Sequence, residues 1–402
     1  MFHVRGMTQA HPIPQSRRKG RAAGSNPANR FDRLHAEAEH DGWDIAEDLP
    51  PLRTEVRVER PRQIVTKNAS PDIGFDRSVN PYRGCEHGCI YCYARPSHAF
   101  LGLSPGLDFE TRLIARPEAA ARLDAELRRP AYRPRTIAIG TNTDPYQPIE
   151  RDWRIMRQVL EVLSAFRHPV TVVTKGALIE RDADILGEMG KAGLARAGIS
   201  ITTLDPGLAR RMEPRCPSPA RRLRTVETLA RAGCPVRVMA SPIVPGLTDH
   251  ELEAILKAAR DAGAVAASTI ALRLPREVSG LWRDWLAEHY PDRLTRVMSK
   301  LRDMHGGRDY DATWGARMTG RGVWADLIQA RFERARKALG LAKNLPPLRC
   351  DLFRPPARAL AFARAAEETN SNSRHIIFSY IYQYFADFWN FFFRRLFGQI
   401  VP

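Results

Sequence analysis

Cys85, Cys89 and Cys92 stand within eight residues, in the order Cys-x3-Cys-x2-Cys with Tyr91 just before the last thiol. Iron–sulfur clusters are normally held by four cysteines, so three thiolates sharing one loop leave one iron of a cubic 4Fe-4S cluster open to an outside ligand. Gly84 and Gly88 fit that reading as small residues that let backbone approach an inorganic core. Two other chemistries use the same residue types. A mononuclear zinc site needs four ligands, and His87 or His98 could complete one. A disulfide framework is the weaker alternative, because clustered thiols in a long chain without an export signal suggest a reducing compartment. Cys216, Cys234 and Cys350 are isolated in sequence. Cys234 reads as a buried residue before a strand and Cys350 as packing in a late loop.

A loop of this kind needs a frame, and the pattern from residue 76 onward supplies one. Short β-branched runs at 135–140, 170–174, 197–202, 236–240 and 269–272 alternate with helical stretches at 117–128, 153–165, 183–192, 219–232 and 249–262. With the strand leading into Cys85, this makes six βα units and a parallel sheet. A closed barrel takes eight units, so the fold class expected is α/β, a partial (β/α)6 TIM-type barrel with a C-terminal helical extension. Chemistry then belongs at the carboxyl ends of the strands.

The division expected is a basic, disordered arm over 1–29, a lead-in over 30–75, the barrel over 76–274, a helical cap over 275–358, and a tail of unassigned role over 359–402. The start of the chain has no apolar core of a secretory signal. Trp and Arg in the cap could line a nucleic-acid groove, although Trp at helical spacing also reads as core. The tail is rich in aromatics, but Ser379, Gln383, Asp387 and Asn390 interrupt it, so no clear membrane span is read there and the expected location is cytoplasmic. Sixty-two Lys and Arg against 45 Asp and Glu give a formal net charge of +17, which attracts polyanions without sequence preference. A generally basic surface explains the same charge.

The stretch from Ser78 to Arg116 resembles the radical S-adenosylmethionine superfamily, and within it the DNA repair photolyase-like branch related to spore photoproduct lyase. Asn80-Pro81-Tyr82-Arg83-Gly84-Cys85 and Tyr91-Cys92-Tyr93-Ala94 carry the likeness, with residues 141–147, Thr174-Lys175, 212–214 and 241–249. The resemblance implies a 4Fe-4S cluster on Cys85, Cys89 and Cys92, S-adenosylmethionine on the open iron, and reductive cleavage to a 5'-deoxyadenosyl radical. It also implies a low-potential electron donor such as flavodoxin or ferredoxin. Tyr91 would present backbone groups to the adenine. The loop 141–147 stands where many members carry a Gly-Gly-Glu turn for the cofactor amino group; the glycines are absent here, and Thr141, Asn142 and Thr143 offer hydroxyl, amide and carbonyl groups for similar hydrogen bonding. Lys175 is placed to pair with the cofactor carboxylate, or is a solvated lysine before a turn. Ser200 and Thr202 alternate on one strand and so share a face, next to the ribose or capping backbone. Ile243 or Val244 would lie against adenine. No residue is assigned to the substrate reaction itself.

Arg210, Arg211, Arg215, Arg221 and Arg222 surround Met212-Glu213-Pro214, and planar guanidinium donors in such a loop suit a phosphate-bearing substrate. Charges facing water are the plain alternative. Cys216 in the same loop is a candidate hydrogen-atom donor by the resemblance to spore photoproduct lyase. The leading expectation is a radical enzyme acting on nucleic acid, with a duplex base extruded to reach the site. The alternatives are a radical enzyme acting on a peptide, protein or small metabolite, and an Fe-S or zinc nucleic-acid-binding module without radical turnover.

Overall fold

The computed structural model describes residues 13–14, 18–31 and 50–357. Its strands are β1 (Glu55–Val58), β2 (Val65–Lys67), β3 (Arg77–Val79), β4 (Tyr82–Arg83), β5 (Arg112–Ala115), β6 (Ile137–Ile139), β7 (Val170–Thr174), β8 (Ala195–Ser200), β9 (Val236–Ile243) and β10 (Ala266–Ala271). The main sheet runs β10-β9-β8-β7-β6-β3-β2. From β3 to β10 every neighbour is parallel and in chain order, and β2 closes one edge antiparallel. These six parallel strands are the partial barrel the alternating pattern calls for. Parallel strands are covered on both faces, which is why they read as apolar runs: Val170, Val172, Ile199, Val236 and Val238 are at most 1% exposed.

The return helices form where the sequence supplies entry and exit signals. In the helix Pro219–Ala232, the Ser218 side chain accepts the Arg221 amide, Pro219 occupies the first turn, and Gly233 leaves at φ 95°. That is N-capping at one end and a left-handed stop at the other.

A second sheet, β1-β5-β4, frames the cysteine loop. β4 ends two residues before Cys85, and the loop, the 3-10 helix Arg95–Leu101 and the helix Leu107–Thr111 intervene before β5. The lead-in contributes β1 to this sheet and β2 to the main one. Residues 18–29 depart from the expected disordered arm: Arg21, Ala22, Ala23, Ser25 and Asn29 are all buried. Composition missed this because the segment packs through small residues and backbone amides rather than through an apolar stripe.

Beyond β10 come the expected helices, Val278–His289, Pro291–Met304 and Val323–Ala338. Trp282 and Trp285 stack at 5.0 Å within a core that also holds Ile90, Tyr91 and Leu272, so these two are packing residues rather than groove lining. The aromatic tail lies outside the described residues. No helix among the described residues is long and apolar enough to cross a membrane.

Candidate active site

The cysteine loop is held from below by main-chain hydrogen bonds and a buried charge pair. Its entry is fixed by Cys85 N–H donating to the Phe109 carbonyl at 2.9 Å and by Gln147, whose Oε1 accepts Glu86 N–H at 2.7 Å and whose Nε2 donates to Gly84 O at 3.2 Å. Its middle rests on Arg95. That guanidinium donates to Cys89 O at 3.0 Å, Gly88 O at 3.1 Å and Gly106 O at 2.9 Å, and pairs with Glu110 at 2.6 Å. Arg95 and Glu110 are both 0% exposed.

Gly84 and Gly88 sit at φ 73° and 66°, where only glycine is unstrained. A Cβ on Gly84 would come within 2.6 Å of Leu113, and one on Gly88 within 2.7 Å of Glu110. The sequence reading gave these glycines to close approach of a cluster. In the structure their smallness is spent on the protein side of the loop.

At the strand ends, Asp144 ties three elements together. It accepts from Thr174 Oγ1 at 2.5 Å, Tyr146 N–H at 2.9 Å and Lys175 N–H at 2.7 Å, and faces His87 Nδ1 at 3.2 Å. Burial pushes its carboxyl up, but His87 and these donors outweigh that and hold it at about 2. A second hub is Glu213, 1% exposed, which accepts from Tyr91 OH, from Thr202 Oγ1 at 2.8 Å and from Arg222. Burial raises its carboxyl and Arg222 and Lys175 lower it further, to about 2.

Lys175 lies 5.7 Å from the Tyr91 ring centre. Burial disfavours its charge, yet Cys89, Glu213 and Cys216 together raise it above the ordinary value, so it stays a cation. Burial and the neighbouring thiolates push Cys85 and Cys92 up. Cys89 goes the other way, to about 7, because the Cys216 thiol, 3.9 Å away, hydrogen-bonds to it and Lys175 adds positive charge, against the opposing effect of burial. Cys89 is therefore the first of the three to ionise, and the thiolate is the form that binds metal.

These residues fit a three-thiol cluster better than a single ion. Cys85 feels the charges of both Cys89 and Cys92, and Cys92 packs against the apolar clusters that hold Cys85 and Cys89. Yet among the described residues no three His, Cys, Asp or Glu side chains converge as one metal ion requires. His98 bonds the Arg112 carbonyl at 2.9 Å and packs edge-on to Phe109, and His87 turns to Asp144, so the two histidines open to a zinc reading are committed elsewhere.

The other residues singled out from sequence divide. Tyr91, Lys175 and Thr202 meet around Glu213. Ser200 and Thr202 do share a face: the Ser200 hydroxyl donates to Ser241 O at 2.9 Å, and Thr202 Oγ1, its one proton directed to Glu213, lies 3.1 Å from the same carbonyl. Thr141 offers its carbonyl to Tyr93 OH, Asn142 is half-buried beside it, and Thr143 is turned inward, donating to Tyr82 O at 2.9 Å. Ile243 and Val244 are buried at the end of β9. The basic loop is smaller than its arginine count. Arg222 is buried on Glu213, and Arg221 forms a two-armed pair with Glu180, one arm at 2.8 Å. Arg210 and Arg211 project from the helix Pro206–Met212, and Arg215 reaches Glu86 at 2.9 Å. Sequence reasoning passed over Arg95, Glu110, Asp144 and Gln147 as site residues. All four lie in stretches that carry the family likeness, but their long-range partners, such as Gly84 and Glu86 for Gln147 and Thr174 and Lys175 for Asp144, are set by the fold.

The family model described as "Radical SAM superfamily" matches residues 79–259. An uncharacterised protein of Mycobacterium tuberculosis is 38% identical over 232 residues, 57% of this chain and 68% of that one. An uncharacterised protein of Methanocaldococcus jannaschii is 26% identical over 173 residues, 43% of this chain and 62% of that one. Among solved structures, spore photoproduct lyase complexed with dinucleoside spore photoproduct superposes with a TM-score of 0.52 at 17% identity, covering 71% of this chain and 80% of that one. A variant of that lyase with bound AdoMet and dinucleoside spore photoproduct gives 0.51 at 17%, over the same shares.

Proposed function

This chain belongs to the Radical SAM superfamily, and from that premise we propose that Cys85, Cys89 and Cys92 hold a 4Fe-4S cluster at the carboxyl ends of the strands and that the substrate is a nucleic acid. The observation that carries the proposal is the three thiols gathered in one eight-residue loop, beside a lysine kept charged by its surroundings. Bound there, the cluster and S-adenosylmethionine supply reductive cleavage to a 5'-deoxyadenosyl radical; the protein's part is binding, orientation and exclusion of competing reactions. Lys175 presents a fixed cation for the cofactor carboxylate. Tyr91, its hydroxyl tied to Glu213, would present its main chain to the adenine, and polar groups of Thr141 and Asn142 would serve the amino group, with the Thr141 carbonyl shared with Tyr93 OH. Electrons come from a small low-potential donor such as flavodoxin or ferredoxin, and the setting is the cytoplasm.

Nucleic acid is favoured by the net charge of +17 and by the exposed Arg210, Arg211 and Arg215, of which Arg211 also reaches Tyr290 and Arg215 also reaches Glu86. The two spore photoproduct lyase structures, both with a dinucleoside spore photoproduct, supply an analogy of substrate class and no more. A base in duplex DNA would be extruded to reach the strand ends. The ion pairs of Arg215, Arg221 and Arg222 within the fold favour a second reading, a peptide or small-metabolite substrate, because they engage three of five expected phosphate donors.

Anaerobic reconstitution followed by reduction with S-adenosylmethionine should yield 5'-deoxyadenosine; none, even with cell extract as substrate source, counts against the radical reading. Binding to DNA and RNA should fall steeply with salt, as phosphate neutralisation requires. Replacing Arg210, Arg211 and Arg215 by Ala should flatten that slope with cluster content unchanged. An unaltered slope transfers the case to peptides and metabolites.

A further inference from the structure

We infer that residues 18–31 are a working part of the cluster site, a strap that fixes the Gly88–Cys89 backbone through the buried Glu110–Arg95 pair. The inference rests on the reading that Cys85, Cys89 and Cys92 hold the cluster, and extends it to a segment whose composition resembles a loose basic arm.

The chain of contacts is continuous. Ala22 and Ala23 donate their amides to the two Glu110 carboxylate oxygens at 3.1 and 3.0 Å, and Arg21 Nη1 donates to the Glu110 carbonyl at 2.8 Å. Glu110 pairs with Arg95, and Arg95 holds the carbonyls of Gly88 and Cys89. Gly88 and Cys89 lie outside any β-ladder: the Gly88 carbonyl is held by Arg95, and the Cys89 carbonyl by Arg95 together with the Cys92 amide at 3.2 Å. A second route runs from Arg21 Nη2 to Thr54 Oγ1 at 2.8 Å, and from Thr54 Oγ1 to Glu86 Oε1 at 2.5 Å, within the cysteine loop itself.

The strap is also part of the packing. Ala22 and Ala23, 4% and 0% exposed, lie in one apolar cluster with Cys89, Ile90 and Tyr91. Crossing this close needs small residues on both sides, and a Cβ on Gly106 would collide with the Ser25 carbonyl. Side chains fasten the rest. Asn26 exchanges hydrogen bonds with Asp108 at 3.0 and 2.9 Å, and Asn29 donates to the Ala99 carbonyl at 2.9 Å. Arg18 pairs with Glu288 and Arg30 with Glu277, each at 2.8 Å, so the strap joins the cysteine loop to the region of the first C-terminal helix. An arm that served only to attract polyanions would have its arginines in water. Here Arg21 is 7% exposed and spends its donors on the loop's supports.

The test uses the full chain carrying Ala23→Leu, which wedges the strap away from Glu110 without altering a thiol. In the metal-free protein, amide exchange over residues 86–90 should speed up about tenfold while exchange in β7 and β8 holds, and after reconstitution a chelator should strip iron about tenfold faster. Arg21→Ala, which cuts only the links to Glu110 O and Thr54, should give a smaller rise of about threefold and serves if Ala23→Leu does not fold. Lys19→Ala, on the exposed side of the strap, should match the parent. Parent-like exchange in both Arg21→Ala and a folded Ala23→Leu overturns the inference. If the parent itself takes up no cluster, it is the cluster reading that fails, and the exchange rates still decide whether the strap holds the loop.

Discussion

Two buried arginine–carboxylate pairs flank the thiols, and they do different work. Arg95 spends nearly every donor on main chain, reaching the carbonyls of Gly88, Cys89, Pro105 and Gly106, with Glu110 as its one carboxylate. Arg222 also caps main chain, at Pro217 O and Ser200 O, but its carboxylate partner faces the site, where Glu213 gathers Tyr91 and Thr202 and lies within electrostatic reach of Lys175 and Cys89. The first pair sets where the loop runs; the second sets which charges and rings face a ligand. Burying an ion pair is seldom a net gain, whereas removing one partner strands a charge. The two sites therefore keep their pairs for positioning, at different levels of structure.

Removing what both pairs surround gives the largest effect. Replacing Cys85, Cys89 and Cys92 together by Ala should abolish the brown chromophore and its iron and sulfide after reconstitution. Full retention of iron in that variant would sink the three-thiol assignment.

Arg95→Met comes next. It leaves Glu110 buried without its cation and frees two loop carbonyls, for a loss of about 3–5 kcal/mol in unfolding free energy, together with poor cluster retention. Denaturant unfolding of the metal-free chain measures the first and iron analysis the second. A stable variant with a normal cluster would erase the distinction between frame and site.

Glu213→Gln should separate the pairs. A neutral amide keeps the shape and one acceptor, enough for Tyr91 and Thr202 while its NH2 turns to Arg222, so Lys175 and Arg222 lose their shared counter-charge but the loop's own supports on Arg95 are untouched. Retention of S-adenosylmethionine is expected to weaken about tenfold, or about 1.4 kcal/mol, with iron content near that of the parent. If iron falls as steeply as in Arg95→Met, the two pairs do the same job.

How far the sequence reveals each pair follows from the range of its contacts. The thiols are legible because a cluster ligand set fits into eight consecutive residues. The six parallel strands are legible because apolar runs and capped helices are local patterns. Arg222 was visible as a charge, but not as a buried one, since its commitment to Glu213 depends on how the chain turns between two helices. Glu110 was invisible: its partners lie 15 residues downstream-to-upstream at Arg95 and 87 to 88 residues away at Ala22 and Ala23, and a glutamate in a short helix looks solvated. The strap was misread for the same reason. Small residues and asparagines lack an apolar period, and what buries Ala22 and Ala23 is the acceptor on the other side.

The smallest effect belongs to a pair outside the site, which shows what burial adds to the two within it. In the segment after the helix Pro291–Met304, Asp309 takes Arg283 at 2.6 Å, Arg302 at 2.9 Å and Ser279 at 2.5 Å, with Arg302 still 49% exposed. Burial raises the Asp309 carboxyl, and Arg283, Ser279 and Arg302 more than reverse this, to about 2 from an ordinary 3.8. A carboxyl depressed in the folded state contributes stability that is complete above the ordinary value and fades as pH falls from about 3.8 through about 2. Because water and salt reach this pair, the contribution should be under about 1 kcal/mol and should shrink in 0.5 M salt, roughly as screening predicts. Urea unfolding of the parent and of Asp309→Asn, followed by tryptophan fluorescence at several pH values, isolates it: the gap between the curves should close as pH drops through that window. A gap that persists unchanged at low pH and high salt would mean that Asp309 acts through uncharged hydrogen bonds, and that exposure does not divide this pair from the two beside the thiols.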